Sequence, residues 1–231
     1  MSIAQNIARI RAEIHDAAIA AGRDPKEIQL CAATKMNDGD AVRQAIAAGV
    51  DCCGENRVQE LTAKLSENAY EGAPVHFIGH LQTNKVKQVV GKVSLIQSVD
   101  SQRLLQAIDK EAAKQGIVQG ILLEVNVGNE ESKSGFDICQ IHGILEQMAD
   151  FPNIFVRGLM AIPPICENPT DSRKFFQEMY NLSVDITAKK YDNVRVNILS
   201  MGMSADYAEA IACGSTMIRV GTAIFGARNY N

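Results

Sequence analysis

Lys35 closes the apolar run Ile28-Gln29-Leu30-Cys31-Ala32-Ala33-Thr34, at the point where a buried strand hands over to a loop. An amine at such a strand end, if it points into a pocket, is desolvated toward its neutral form and can attack a carbonyl. A lysine that only snorkels to solvent is the simpler alternative. Arg219 lies inside a second apolar stretch, Met217-Ile218-Arg219-Val220. Its guanidinium needs a buried partner, either a carboxylate across the interior or a ligand. Period-two alternation puts Arg219 and Gly221 on one face. Two small-residue segments complete the set: Ser200-Met201-Gly202-Met203-Ser204 and Gly221-Thr222-Ala223-Ile224-Phe225-Gly226. Each leads toward a helix start, where backbone N–H groups face outward and small residues let an anion approach. Neither contains a lysine or arginine, so a phosphate would rest on amides and on the Ser200 and Thr222 hydroxyls. Capping by Ser204 and Thr222 is the competing explanation for either segment taken alone.

Positioning these groups together requires a particular fold. Strand-like runs lie at 28–34, 50–53, 75–78, 94–98, 121–127, 155–162, 194–199 and 216–220. Between them the apolar residues recur with helical spacing at 40–48, 57–68, 84–90, 101–115, 138–148, 171–190 and 205–213, and Ile3, Ile7, Ile10 and Ile14 mark a leading helix after Ser2. Eight strands alternating with helices predict an α/β fold: a single (β/α)8 TIM barrel, residues 1–231, with an extra N-terminal helix. A doubly wound open sheet is the competitor, but no GxGxxG follows the first strand and eight strands would make a wide sheet. In the barrel, Lys35, Asn56, His80, Ser200 and Gly221 all follow strands. They therefore gather at the C-terminal face, where such barrels bind ligands.

The rest of the chain narrows the options. A net charge of −4 and the absence of basic runs interleaved with aromatics exclude a nucleic-acid footprint. No apolar stretch reaches membrane-spanning length, and the N-terminus lacks a secretory pattern, so a cytoplasmic protein is expected. Cys31, Cys52, Cys53, Cys139, Cys166 and Cys213 form no CxxC and read as reduced packing residues. His15, His76, His80 and His142 do not fall at metal-ligand spacing from them, so no metal site is expected.

A strand-end amine, a buried guanidinium and a phosphate cradle suit a ligand carrying an aldehyde, a hydrogen-bond acceptor and a phosphate. Pyridoxal 5'-phosphate (PLP) has all three. A Schiff-base aldolase that holds a sugar phosphate is the other reading of the same residues. The segments Ala33-Thr34-Lys35, Gly54-Glu55-Asn56-Arg57-Val58-Gln59-Glu60, Phe77-Ile78-Gly79-His80-Leu81-Gln82, Leu199-Ser200-Met201-Gly202-Met203-Ser204 and Ile218-Arg219-Val220-Gly221-Thr222-Ala223-Ile224-Phe225-Gly226 resemble the pyridoxal phosphate homeostasis protein family (YggS/PROSC) across essentially the whole chain. The resemblance implies a barrel related to the alanine racemase N-terminal domain and Lys35 as the aldimine lysine. It implies that Ser200, Gly202, Gly221 and Thr222 hold the phosphate, with Met201 in the same segment. Arg219 would meet the pyridine nitrogen, and Asn56 and His80 would line the mouth. The implied role is intracellular vitamin B6 homeostasis, with no established reaction.

Two features bear on catalysis. An arginine opposite the pyridine nitrogen leaves that nitrogen unprotonated and weakens the ring as an electron sink. The sequence also ends ten residues after Gly221, so an appended β-domain with an opposing acid or base is not expected, nor the dimer surface it would bring. A monomeric, noncatalytic PLP carrier that stores, buffers or delivers the cofactor, with PLP-dependent apo-enzymes as acceptors, is the leading expectation. A small PLP-dependent racemase is the alternative. Lys133, in Glu130-Glu131-Ser132-Lys133-Ser134-Gly135-Phe136, is the rival amine, but its charged loop favours a solvated role. Asp206 and Glu209 read as surface acids.

Overall fold

The computed structural model describes residues 1–130 and 133–226. Eight parallel strands follow one another around a closed barrel: β1 (Gln29–Ala33), β2 (Cys52–Glu55), β3 (Val75–Phe77), β4 (Leu95–Val99), β5 (Gln119–Val125), β6 (Ile154–Ala161), β7 (Val194–Ser200) and β8 (Met217–Val220). Pairing of β8 with β1 excludes the open sheet. The helices are α1 (Ile3–Ala20), α2 (Gly39–Ala47), α3 (Val58–Ser66), α4 (Gln102–Gln115), α5 (Ile141–Glu146), α6 (Arg173–Ala188), α7 (Tyr207–Ala212) and α8 (Thr222–Phe225). The stretch expected as a helix at 84–90 is instead 3-10 helical over Thr83–Gln88. It buries only Val86 within that span, too narrow an apolar face to draw in a full α-helix.

Alternation along each strand sorts the core into two layers. Leu30, Ala32, Ile218 and Val220 face outward and pack on Ile7, Ile10 and Ile14 of α1. Cys31, Cys52 and Met217 face inward in one interior cluster, and Leu95, Leu122 and Met160 in another. Helix α1 starts where the Ser2 hydroxyl accepts from Gln5 N and the Gln5 side chain accepts from Ser2 N, a reciprocal cap. Each buried isoleucine then contributes about 1.5–3 kcal/mol on burial. Asn6 carries the helix across to the other end of the chain, its Nδ2 donating to Ile224 O at 2.8 Å.

Strand β2 lies two residues later than the expected 50–53. Its ladder with β1 pairs Cys31 with Cys52 and Ala33 with Gly54, which draws Gly54 and Glu55 into the barrel wall. The fully buried Glu55 carboxylate then meets Lys64 Nζ at 2.6 Å, Thr34 Oγ1 at 2.5 Å and Tyr70 OH at 3.1 Å. Lys64 Nζ also donates to Thr34 O at 2.7 Å. Helix α3 is thereby pinned to the residue that precedes Lys35. Between β6 and β7 the register shifts at Gly158, whose φ is +155°. A Cβ there would stand 1.8 Å from Ile198 O, so only glycine fits.

Candidate functional site

The C-terminal ends of β1, β2 and β8 and the loop after β7 surround a cavity of about 260 Å³. Lys35, Asn56, Arg219, Gly221 and Thr222 line it, with Ala33, Ile78, Ile162, Met203, Ser204 and Ala205. Five of the residues singled out in the sequence thus share one pocket. Lys35 is half-buried, two residues past β1, and the chain turns sharply after it through Met36 at φ +62°. The backbone of Gly79 passes so close to Asn56 that a Cβ on it would lie 2.2 Å from Asn56 O.

Arg219 enters from the floor and is 5% exposed. One terminal nitrogen donates to Ser200 Oγ at 2.6 Å and the other to Ala161 O at 3.0 Å. Among the described residues no carboxylate forms an ion pair with it, so the cross-barrel salt bridge weighed above is absent. Burial lowers its pKa from the usual arginine value, against the opposing pull of Cys31, Glu124 and Asp206. Of its five N–H donors, two hold the arginine in place and others remain for a ligand in the pocket.

The two small-residue segments meet at the rim. Ala223 N lies 3.5 Å from Ser204 Oγ, and Asp206 Oδ1 accepts from Met203 N at 2.7 Å, bracing the loop after β7. Asp206 is therefore a loop anchor, and burial raises its pKa. Glu209, for its part, pairs with Arg173. Ser200, expected to offer its hydroxyl to the phosphate, sits lower. It ends β7 facing inward, donates to Gln97 Oε1 at 2.7 Å and receives Arg219. The hydroxyl at the pocket wall on this loop is that of Ser204, a residue whose position before α7 suits a helix cap equally well. Met201 is fully buried on the outer, helix-packed layer. Gly202 adopts φ +92° beneath Tyr207 and Ala210, and its carbonyl accepts from Arg219 N at 3.0 Å. Met201 and Gly202 thus shape the loop, while Ser204, Gly221 and Thr222 face the cavity.

His80 lines an adjoining cavity of about 310 Å³ that shares Asn56, Ile78 and Ile162 with the first. Its side chain is 60% exposed and its Nδ1 lies 3.0 Å from Asp100 Oδ2. Lys133 lines the same cavity, but it pairs with Glu130 and donates to Pro163 O at 3.1 Å. Residues 131 and 132 of that loop lie outside those described. Glu124, missed in the sequence because it sits within an apolar strand, projects from β5 into this second cavity. Burial, then the charge of Asp100, pushes its carboxyl up to about 7, against Arg219 and His80. It can hold a proton at the mouth in the neutral range.

Comparison with known proteins places this geometry. The family of the alanine racemase N-terminal domain matches residues 2–229. The pyridoxal phosphate homeostasis protein of Aquifex aeolicus is 41% identical over 230 residues, covering all of both chains. A solved structure of an unknown protein from Bifidobacterium adolescentis is 39% identical with a TM-score of 0.90, covering 96% of this chain and 94% of that one. PipY of Synechococcus elongatus, solved with PLP bound, is 32% identical with a TM-score of 0.84 over 97% and 100% of the two chains. With a family match over nearly every residue and full-length relatives at this identity, the chain belongs to the pyridoxal phosphate homeostasis protein family, built on the barrel of the alanine racemase N-terminal domain.

Proposed function

We propose that this protein binds PLP covalently through Lys35 and acts in cytoplasmic vitamin B6 homeostasis, holding the cofactor and releasing it to acceptor apo-enzymes without catalysing a reaction of its own. The observation that carries the reading is the convergence of Lys35, Asn56, Arg219, Gly221 and Thr222 on one cavity. Bound PLP supplies an aldehyde that a lysine can condense with and a pyridine ring that can withdraw electrons.

The residues present fit that group. Asn56 Oδ1 is buried with no hydrogen-bond partner among the described residues, an acceptor left for a ligand's donor. Arg219 offers N–H donors from a buried, pinned guanidinium, suited to a ring nitrogen with a free lone pair. Ser204, Gly221 and Thr222 bring small and hydroxyl-bearing residues to the wall between the loops after β7 and β8, where the anionic end would sit. Met203, Ala205 and Thr222 are exposed, so that end faces solvent and a cofactor held there has a way out. Arg219 keeps its proton and cannot pass it to the ring, which supports holding over carbanion chemistry. Among the described residues no helix is long and apolar enough to cross a membrane.

The test is the absorption spectrum of the purified protein before and after borohydride, with peptide mapping of the reduced adduct. A yellow protein whose adduct maps to Lys35, and a Lys35→Ala variant lacking the band, are expected. An adduct on Lys133, or an unchanged band in Lys35→Ala, overturns the tether. Lys35-dependent exchange of an amino-acid α-proton with deuterated solvent would overturn the noncatalytic reading.

A further inference from the structure

The barrel interior beneath the PLP pocket contains three soft donors that the sequence separates widely. Register brings Cys31 of β1 beside Cys52 of β2, and β3 places His76 next to them. All three are buried, and their ligand atoms lie within 4.8 Å of one another. We propose that Cys31, Cys52 and His76 form a binding site for a thiophilic divalent cation, Zn²⁺ in the cell.

The geometry supports this over simple packing. In a tetrahedral zinc site, Zn–S bonds of about 2.3 Å and Zn–N bonds of about 2.0 Å imply edges of roughly 3.8 Å between sulfurs and 3.5 Å between sulfur and nitrogen. Cys52 Sγ and His76 Nδ1 are 3.5 Å apart. A neighbouring interior cluster is apolar, made by Leu95, Leu122 and Met160, whereas here the two thiols pack with the Met217 thioether and the His76 imidazole lies 3.5 Å from Cys52 Sγ. Binding releases one proton from each thiol to solvent, and the neutral imidazole donates its Nδ1 lone pair. Two thiolates and one divalent cation sum to zero charge, the condition under which an ion can be buried.

One rearrangement is required. Gln97 Nε2 now donates to His76 Nδ1 at 2.8 Å and lies 3.1 Å from Met217 Sδ, so the amide must swing aside or turn its oxygen to the ion as a fourth ligand. Cys52 opens β2 and His76 keeps 7% exposure, so the site is approached from the N-terminal end of the barrel, away from the PLP pocket.

The experiment uses the whole reduced protein, stripped with a chelator and free of PLP, titrated anaerobically with Co²⁺ and then Zn²⁺. One Co²⁺ per chain with sulfur-to-cobalt charge transfer and the strong visible bands of a tetrahedral site, displaced by one Zn²⁺, is expected. Cys52→Ser and His76→Gln should each weaken Zn²⁺ by more than the roughly 10–100-fold that outer partners cost, while Cys166→Ser leaves it unchanged. Zn²⁺ should also raise the Tm of the wild type but not of the two variants. Absence of the charge-transfer band in the wild type overturns the site, whether or not the variants fold. So does Zn²⁺ binding that survives either substitution.

Discussion

Replacing Glu124 by glutamine should make the protein more stable, and by an amount that depends on pH. The carboxyl is 9% exposed, and burial moves it from 4.5 to about 7. At about 1.36 kcal/mol per pH unit, that change is worth about 3 kcal/mol between the two protonation states. Solvent screening removes little at such burial. Between pH 4.5 and 7 the native carboxyl holds a proton that the unfolded chain has lost. The native state therefore binds more protons in that window, and wild-type stability falls as pH rises through it. Glutamine mimics the protonated acid and does not titrate, so its curve lacks this fall. Urea unfolding of the PLP-free proteins from pH 4.5 to 8 measures the difference. Glu124→Gln should match the wild type near pH 4.5 and exceed it by about 3 kcal/mol at pH 8. Other titrating groups cancel in the subtraction, except where they couple to Glu124. Parallel curves, or a variant less stable at pH 8, would refute the assignment of a neutral acid at the mouth.

Three further outcomes follow from named contacts. Lys64→Met strips the countercharge from the fully buried Glu55 and should cost about 3–5 kcal/mol in urea unfolding at pH 7; adding Glu55→Gln should recover part of it. Asn56→Ala removes an unpartnered buried carbonyl, so the PLP-free protein should keep its stability or gain up to about 1 kcal/mol, while PLP binding weakens about 5–10-fold by equilibrium dialysis. Gly158→Ala forces a Cβ into Ile198 O and should leave no native-like elution on gel filtration; a folded variant would contradict the β6–β7 register.

The sequence revealed the barrel because eight apolar runs alternating with helical periods leave few other topologies, and short crossovers put every loop of interest at one end. Lys35, Asn56, Arg219, Gly221 and Thr222, which line one cavity, stand out in the sequence because each breaks a local rule: a charge at a strand end or inside a strand, or a polar or small residue just beyond one. Ser200 and Ser204 could not be told apart, because which hydroxyl faces the cavity depends on where β7 ends. A shift of one or two residues exchanges a floor position for a wall. Glu55 and Glu124 were hidden for a related reason. Each sits in or beside an apolar run, and its burial becomes apparent only when the following helix folds Lys64 back onto Glu55, or when Asp100 and Arg219 arrive beside Glu124 from distant segments.

The same logic explains why Cys31, Cys52 and His76 gave no signal. Metal motifs are legible when their ligands share a loop or a helix turn, because the spacing is then fixed locally. Here the spacing is set by strand register, which sequence cannot supply. A barrel interior brings residues from successive strands into one layer, so its ligand sets are spread across the chain by construction. The cavity proposed for PLP above and the thiol-imidazole cluster below are both assembled that way. Gln97, Ser200 and Arg219 form a continuous hydrogen-bonded path between them. A cation that turns the Gln97 amide must re-pair Ser200, and Ser200 is one of the two groups that hold the Arg219 guanidinium at the pocket floor.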